Sequence, residues 1–163
     1  MPFLSKWSLR LILACIGCAG LTPFQVTAAD PAAGQLLEGV PCTADASQSY
    51  ALYLPSSYDP ARTWPVLYCF DPRARGARAI GCFQEGAEKF GYILVGLNNS
   101  RNGPWEANRS AIEAVLRDTH SRFSINRARL YTAGMSGGAR VATRLGLAGL
   151  TAGNFSGYWM GIG

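Results

Sequence analysis

Ser136 is the residue in this chain best placed by its neighbours to do chemistry. It sits in the stretch Leu130 to Gly146, "LYTAGMSGGARVATRLG", at the centre of Gly134-Met135-Ser136-Gly137-Gly138. A serine hydroxyl becomes a useful nucleophile when it stands on a sharp turn between a strand and a helix, clear of its surroundings. The apolar "LYTA" runs into the serine as a strand would, and "ARVATRL" runs out of it as a helix former. The alternative is a glycine-rich turn without chemistry. A phosphate loop does not fit, because no Gly-Lys-Ser/Thr follows at the required spacing.

A nucleophile of this type needs an oxyanion site. The backbone N–H of Gly137, at the helix start, is the natural first donor. The second is expected from the loop after an earlier strand, "FDPRARG", where Pro72 has no N–H and the backbone of Arg73 is the next choice. The stretch "NNSRNGPW" (98–105) follows another buried run and should overlook the same end of the sheet. It offers Asn99, Arg101 and Trp105 as substrate contacts, or else it is a connector shaped by its Asn and Gly residues.

The serine also needs a base, and His120 is the only histidine in the sequence. It falls near the end of the helical pattern "EANRSAIEAVLRDTHSRF" (106–123), just before the strand that leads to Ser136. A helix between parallel strands runs back down the sheet, so His120 is expected at the opposite end, roughly 20 Å away. A base must lie within about 3 Å of the proton it removes. His120 reads instead as a partly exposed helix-end residue whose cation would complement the C-terminal dipole.

The elements that position these residues are legible as periodic runs. "WPVLYCF" (64–70), "GYILVGL" (91–97), "ARLYTAG" (128–134) and "FSGYWMGI" (155–162) are nearly continuous apolar runs, as strands buried on both faces require. "SYALYLPSSYDP" (49–60) alternates and breaks at Pro55, which suits an antiparallel strand near an edge. Helical spacing runs through 77–90, through 106–123 and onward from the serine turn. Alternating strands and helices predict an α/β fold, a mainly parallel sheet with helices on both faces.

In the order "YLPSSYDPARTWPVLYCFDPRARG", "EKFGYILVGLNNSRNGPW", "SINRARLYTAGMSGGARVA", the chain resembles the α/β-hydrolase superfamily. Within it, the chain is similar to secreted esterases of the polyhydroxybutyrate-depolymerase and feruloyl-esterase type. The resemblance implies Ser136 as nucleophile, Gly137 as one oxyanion donor and the loop after the first long parallel strand as source of the other. It implies a small-molecule or polymeric ester as substrate and no cofactor. "FDP" stands where many relatives carry a His-Gly pair. In that superfamily the acid and then the histidine follow the serine, yet no Asp, Glu or His follows Ser136 here. The expectation is therefore an α/β-hydrolase fold incomplete at its C-terminus, a truncated serine esterase lacking its triad Asp and His and inactive as it stands. The rivals are a secreted non-catalytic ligand-binding module on the same scaffold, and a triad completed by another chain.

Residues 1–28 read as a signal peptide and 29–163 as the partial hydrolase domain. Lys6 and Arg10 precede the apolar run Leu11 to Leu21, about half the ~20 residues needed to cross a bilayer. A secreted or periplasmic protein with no membrane span after cleavage is expected. Without Lys6 and Arg10, 13 basic residues face 10 acidic ones, with arginines scattered rather than clustered. That excludes the long basic face of a nucleic-acid binder. Three cysteines remain: Cys69 inside a strand, and Cys42 with Cys82 as the first pairing to test. No metal-ligand cluster is indicated. The N-x-S triplets at Asn98, Asn108 and Asn154 are acceptors only in a glycosylating pathway.

Overall fold

A computed structural model of the chain describes residues 31–151 and 157–161. The signal-peptide reading, Asn154 and the flanks of the last expected strand lie outside the described residues.

The structure is a six-stranded sheet with helices on both faces. The strands are β1 (Leu36–Pro41), β2 (Ser49–Tyr53), β3 (Trp64–Phe70), β4 (Ile93–Leu97), β5 (Ile125–Met135) and β6 (Gly157–Gly161). The helices are α1 (Gly76–Gly81), α2 (Gln84–Phe90), α3 (Trp105–Arg122) and α4 (Gly137–Thr151). Strand order is β1-β2-β4-β3-β5-β6. β4, β3, β5 and β6 run parallel, whereas β1–β2 and β2–β4 pair antiparallel.

The sheet is thus mixed, which corrects the expectation of a mainly parallel one. The reason lies in β1, whose "LLEGVP" carries no clean alternation and was not readable as a strand. It is bulged between Leu37 and Val40, and it takes the outer position beside β2.

Two of the continuous apolar runs are buried as their composition demands, whereas the 128–134 run is exposed at Ala128 and Arg129 and buried only toward its end. All five residues of β4 are buried, and six of seven in β3. On one face, Tyr50, Leu52, Val66, Tyr68, Phe70 and Val95 pack against Ala111, Ile112 and Val115 of α3 and Val141 and Ala142 of α4. On the other face, Ala51, Tyr53, Cys69, Leu94 and Ala133 pack under Ile80 of α1 and Ala87 of α2.

The helical pattern over 77–90 forms two helices rather than one. It breaks at Gly81-Cys82-Phe83, where glycine supports a helix poorly and Phe83 becomes the cap of α2, accepting the N–H of Ala87. The three described cysteines are free. Cys42 belongs to the α3/α4 face, whereas Cys82 lines a cavity with Cys69, which belongs to the opposite face. The Cys42–Cys82 pairing is therefore not the arrangement this fold brings together.

Candidate active site

β5 ends at Met135 and α4 begins at Gly137, so the whole reversal is carried by Ser136. Its φ is +52°, and its side chain is exposed while Gly134, Gly137 and Gly138 are buried. A β-carbon costs roughly 1–2 kcal/mol in this left-handed region, so the turn holds Ser136 against its preference. The glycines explain how so tight a turn can pack. A Cβ on Gly134 would lie 2.4 Å from backbone atoms of Gly138, and one on Gly138 would lie 2.2 Å from the carbonyl oxygen of Phe70. The strand, the helix and the end of β3 thus meet backbone to backbone beneath the serine. The carbonyl of Ser136 accepts the N–H of Ala139 at 3.0 Å, which closes the first turn of α4.

Ala74, at φ +59°, is the other non-glycine residue with positive φ among the described residues, and it lies in the β3–α1 loop at the same end of the sheet. That loop is built around Asp71, whose carboxylate is buried. It accepts the Arg73 N–H at 2.7 Å and both Nε and Nη2 of Arg75 at 2.9 Å. Burial alone would raise the Asp71 pKa, but the bonds from Arg75 and the Arg73 N–H outweigh it and hold the carboxyl below its ordinary value. Two consequences follow. The Arg73 N–H, expected as the second oxyanion donor, is committed to Asp71. Asp71 itself is a neutralised structural carboxylate rather than a base.

The 98–105 loop is folded by its asparagines. Asn108 of α3, 3% exposed, accepts from the Ser100 hydroxyl and the Arg101 N–H and donates to the carbonyls of Arg101 and Pro104. With every polar atom of its amide engaged, Asn108 is not an available glycan acceptor. Asn99 accepts the Ser49 N–H at 2.9 Å and donates to the Ser47 carbonyl, so it anchors the start of β2 instead of facing the serine. Arg101 and Trp105 do reach the site. With Gly103, Asn108, Gly137, Arg140, Val141 and Arg144 they line a cavity of about 250 Å³ beside the serine turn.

Sequence reasoning missed Arg140, Arg144 and Asn102. Asn102 donates its N–H to Pro72, packs against Gly137 and accepts from Arg140 Nη2 at 3.2 Å. The signal for the arginines was present: Gly137, Arg140, Val141 and Arg144 fall at i, i+3, i+4 and i+7, one face of a helix.

His120 stands in the last turn of α3, four residues before Ser124, whose carbonyl accepts the N–H of Trp64 at the start of β3. Arg127, whose charge acts on His120, lies near the start of β5, and in register with β3 the stretch from Ile125 to Gly134 covers Trp64 to Phe70, about 20 Å of strand. The separation matches the expectation. The reason offered for a histidine there does not: its ring is half-buried, its Nε2 has no hydrogen-bond partner among the described residues, and burial, then Arg127, push its pKa down. It is held neutral, not as a dipole-matched cation.

No protein-family model matches the sequence. No curated protein matches it either. Solved structures do resemble it in fold, and they are esterases of the α/β-hydrolase type. EstE1, a thermophilic carboxylesterase cloned from a metagenomic library, aligns with a TM-score of 0.57 at 12% identity, over 80% of this chain and 47% of that one. An acetyl xylan esterase from Aspergillus awamori gives 0.53 at 13% identity, over 76% and 49%. A ferulic acid esterase gives 0.51 at 19% identity, over 68% and 52%. The chain thus spans about half the length of each. Among the described residues, no helix is long and apolar enough to cross a membrane.

Proposed function

We propose that this chain, read as an exported protein, carries the nucleophile half of a serine ester hydrolase, with Ser136 as the attacking residue. The observation that carries this reading is the left-handed conformation of Ser136 between β5 and α4, on a sheet shared with esterases. In the reaction, Ser136 Oγ attacks the ester carbonyl, the Gly137 N–H stabilises the oxyanion, and the alcohol leaves as an acyl-serine forms. Water then cleaves the acyl-serine. Both steps require a base at Ser136, and neither His120 nor Asp71 can serve there. The chain by itself is therefore expected to turn esters over at most weakly, since the oxyanion site alone supplies only a small share of such catalysis.

Exogenous imidazole tests both halves of the proposal. With a nitrophenyl acetate and imidazole, the imidazole accepts the serine proton, nitrophenolate leaves, and one acetyl should appear on Ser136 by mass spectrometry. Without a resident base the adduct should persist. No adduct at Ser136 would overturn the nucleophile reading. Rapid turnover without imidazole, abolished by Ser136→Ala, would overturn the claim of weak activity. A second reading, a non-catalytic binding module, is favoured by the cavity beside Gly137, which is built entirely without the serine side chain.

A further inference from the structure

The cavity beside the serine turn has a charge pattern that its position alone does not require. Three of its eight lining residues are arginines, Arg101, Arg140 and Arg144, and none is a carboxylate. Three arginines elsewhere are paired with carboxylates, Arg75 with Asp71, Arg109 with Glu106 and Glu113, and Arg122 with Asp118, whereas Arg62, Arg73, Arg78, Arg117, Arg127 and Arg129 are spread over separate loops and elements. Arg101, Arg140 and Arg144 have no carboxylate partner among the described residues. Glu106, beside Trp105 in sequence, is taken by Arg109 at 2.7 Å.

Two of the three arginines are also held in place. Arg144 lays its guanidinium over the Trp105 ring, 3.9 Å from the centroid, which fixes the plane and leaves the N–H edge to hydrogen-bond. Arg140 is tethered by Asn102. Side chains on a helix lean toward its N-terminus, so Arg140 and Arg144 reach back toward Gly137. The first turn of α4 adds its unsatisfied N–H groups and positive dipole end to the same wall. Arg140 lies one turn and Arg144 two turns from Gly137, roughly 5 and 10 Å along the axis.

We propose that this cavity binds a carboxylate, and that the esters this site takes are acidic ones, with a free carboxylate a few bonds from the scissile carbonyl. Planar guanidinium forks match a carboxylate bidentately, and their alignment along α4 would set the ester carbonyl toward Ser136. The substrate assignment rests on Ser136 being the nucleophile; the carboxylate site does not.

The test uses the 163-residue chain and three probes: succinate, monomethyl succinate and the uncharged dimethyl succinate. Amide chemical shifts should report binding of the two acids at the first turn of α4 and at 101–105, at least tenfold tighter than the diester. Arg140→Gln and Arg144→Gln should each weaken the acids threefold or more. Arg109→Gln, which alters an arginine outside the cavity, should leave binding unchanged, as should Ser136→Ala. Equal affinity for acid and diester, shifts confined to another surface, or binding that survives the Arg140→Gln/Arg144→Gln double change would overturn the proposal. If Arg144→Gln fails to fold for want of its stack on Trp105, Arg101→Gln with Arg140→Gln asks the same question.

Imidazole-supported acylation by mono-nitrophenyl fumarate, whose trans carboxylate cannot reach its own ester carbonyl, against the uncharged nitrophenyl crotonate then reads the substrate claim. The acid should acylate Ser136 at least tenfold faster at low concentration, and parity would overturn it. Succinate binding with no acylation by either ester would sink the nucleophile reading and leave the carboxylate site standing.

Discussion

The two ends of α3 solve opposite problems with the same kinds of side chain. At its C-terminal end, Asp118 is 4% exposed and wholly matched. It accepts the Thr43 N–H at 2.7 Å, the hydroxyl of the fully buried Tyr50 at 2.7 Å and Arg122 Nη1 at 3.2 Å. Next to it, the Thr119 hydroxyl meets Tyr68 at 2.9 Å. At the N-terminal end, Trp105 and Arg101 look across a cavity at Arg140 and Arg144, with three positive charges and no negative one in its wall. Charges that satisfy one another hold a fold together. Charges of one sign, fixed around a space, are arranged for something that comes from outside.

The sharpest break between the two ends should come from Ser136→Ala. It should remove the acyl adduct completely while costing the fold nothing, because the side chain is exposed and its hydroxyl holds no structural bond among those described. At the other end the effect should be entirely on stability. Asp118→Ala strands the Tyr50 hydroxyl and the Thr43 N–H in a buried site and should cost about 3 kcal/mol in denaturant unfolding.

The same carboxylate gives a pH signature. Burial by itself would raise the Asp118 pKa, but its bonds from Thr43, Tyr50 and Arg122 win and hold it below the usual value. A group depressed in the folded state stabilises above its unfolded pKa of about 4 and loses that contribution as the pH falls through its folded value. Thermal melts should thus show an acid limb below about pH 4 that Asp118→Ala flattens.

Gly138→Ala tests the seam between fold and site. Its methyl would meet the Phe70 carbonyl, so the helix must back away from β3 at a cost of about 1–3 kcal/mol, and the adduct at Ser136 should fall with it. The smallest effect is expected from His120→Leu. It should leave imidazole-supported acylation by the nitrophenyl ester untouched, and it should remove the loss of stability that accompanies protonation of a half-buried neutral histidine. That loss appears as the pH falls below about 6.5, because the unfolded chain then binds the proton more readily.

Much of this architecture was legible in the sequence because burial on both faces leaves long apolar runs, as in β3, β4 and the 130–134 end of β5. β1 was not, since an outer bulged strand with Gly39 and Pro41 needs neither alternation nor a full apolar run. Among the candidate site residues, the turn at Ser136 and Gly137 could be placed from glycine spacing, and Trp105 and Arg101 from their loop following a buried strand. Asn99 and Arg73 went elsewhere for one reason: short polar groups in loops bond first to the nearest backbone, and no spacing rule says which carbonyl or carboxylate that will be. Arg140 and Arg144 were hidden by their type, because an arginine on a helix is ordinarily a solvated surface charge until its neighbours are known.

One further consequence follows from the serine at φ +52°. Glycine would sit there without strain, so Ser136→Gly should raise the stability of the chain by about 1 kcal/mol. For folding alone that exchange is an improvement. A sequence that instead keeps the less stable residue at the apex of its tightest turn is carrying a cost that stability does not repay, and the position is shaped by a demand other than folding.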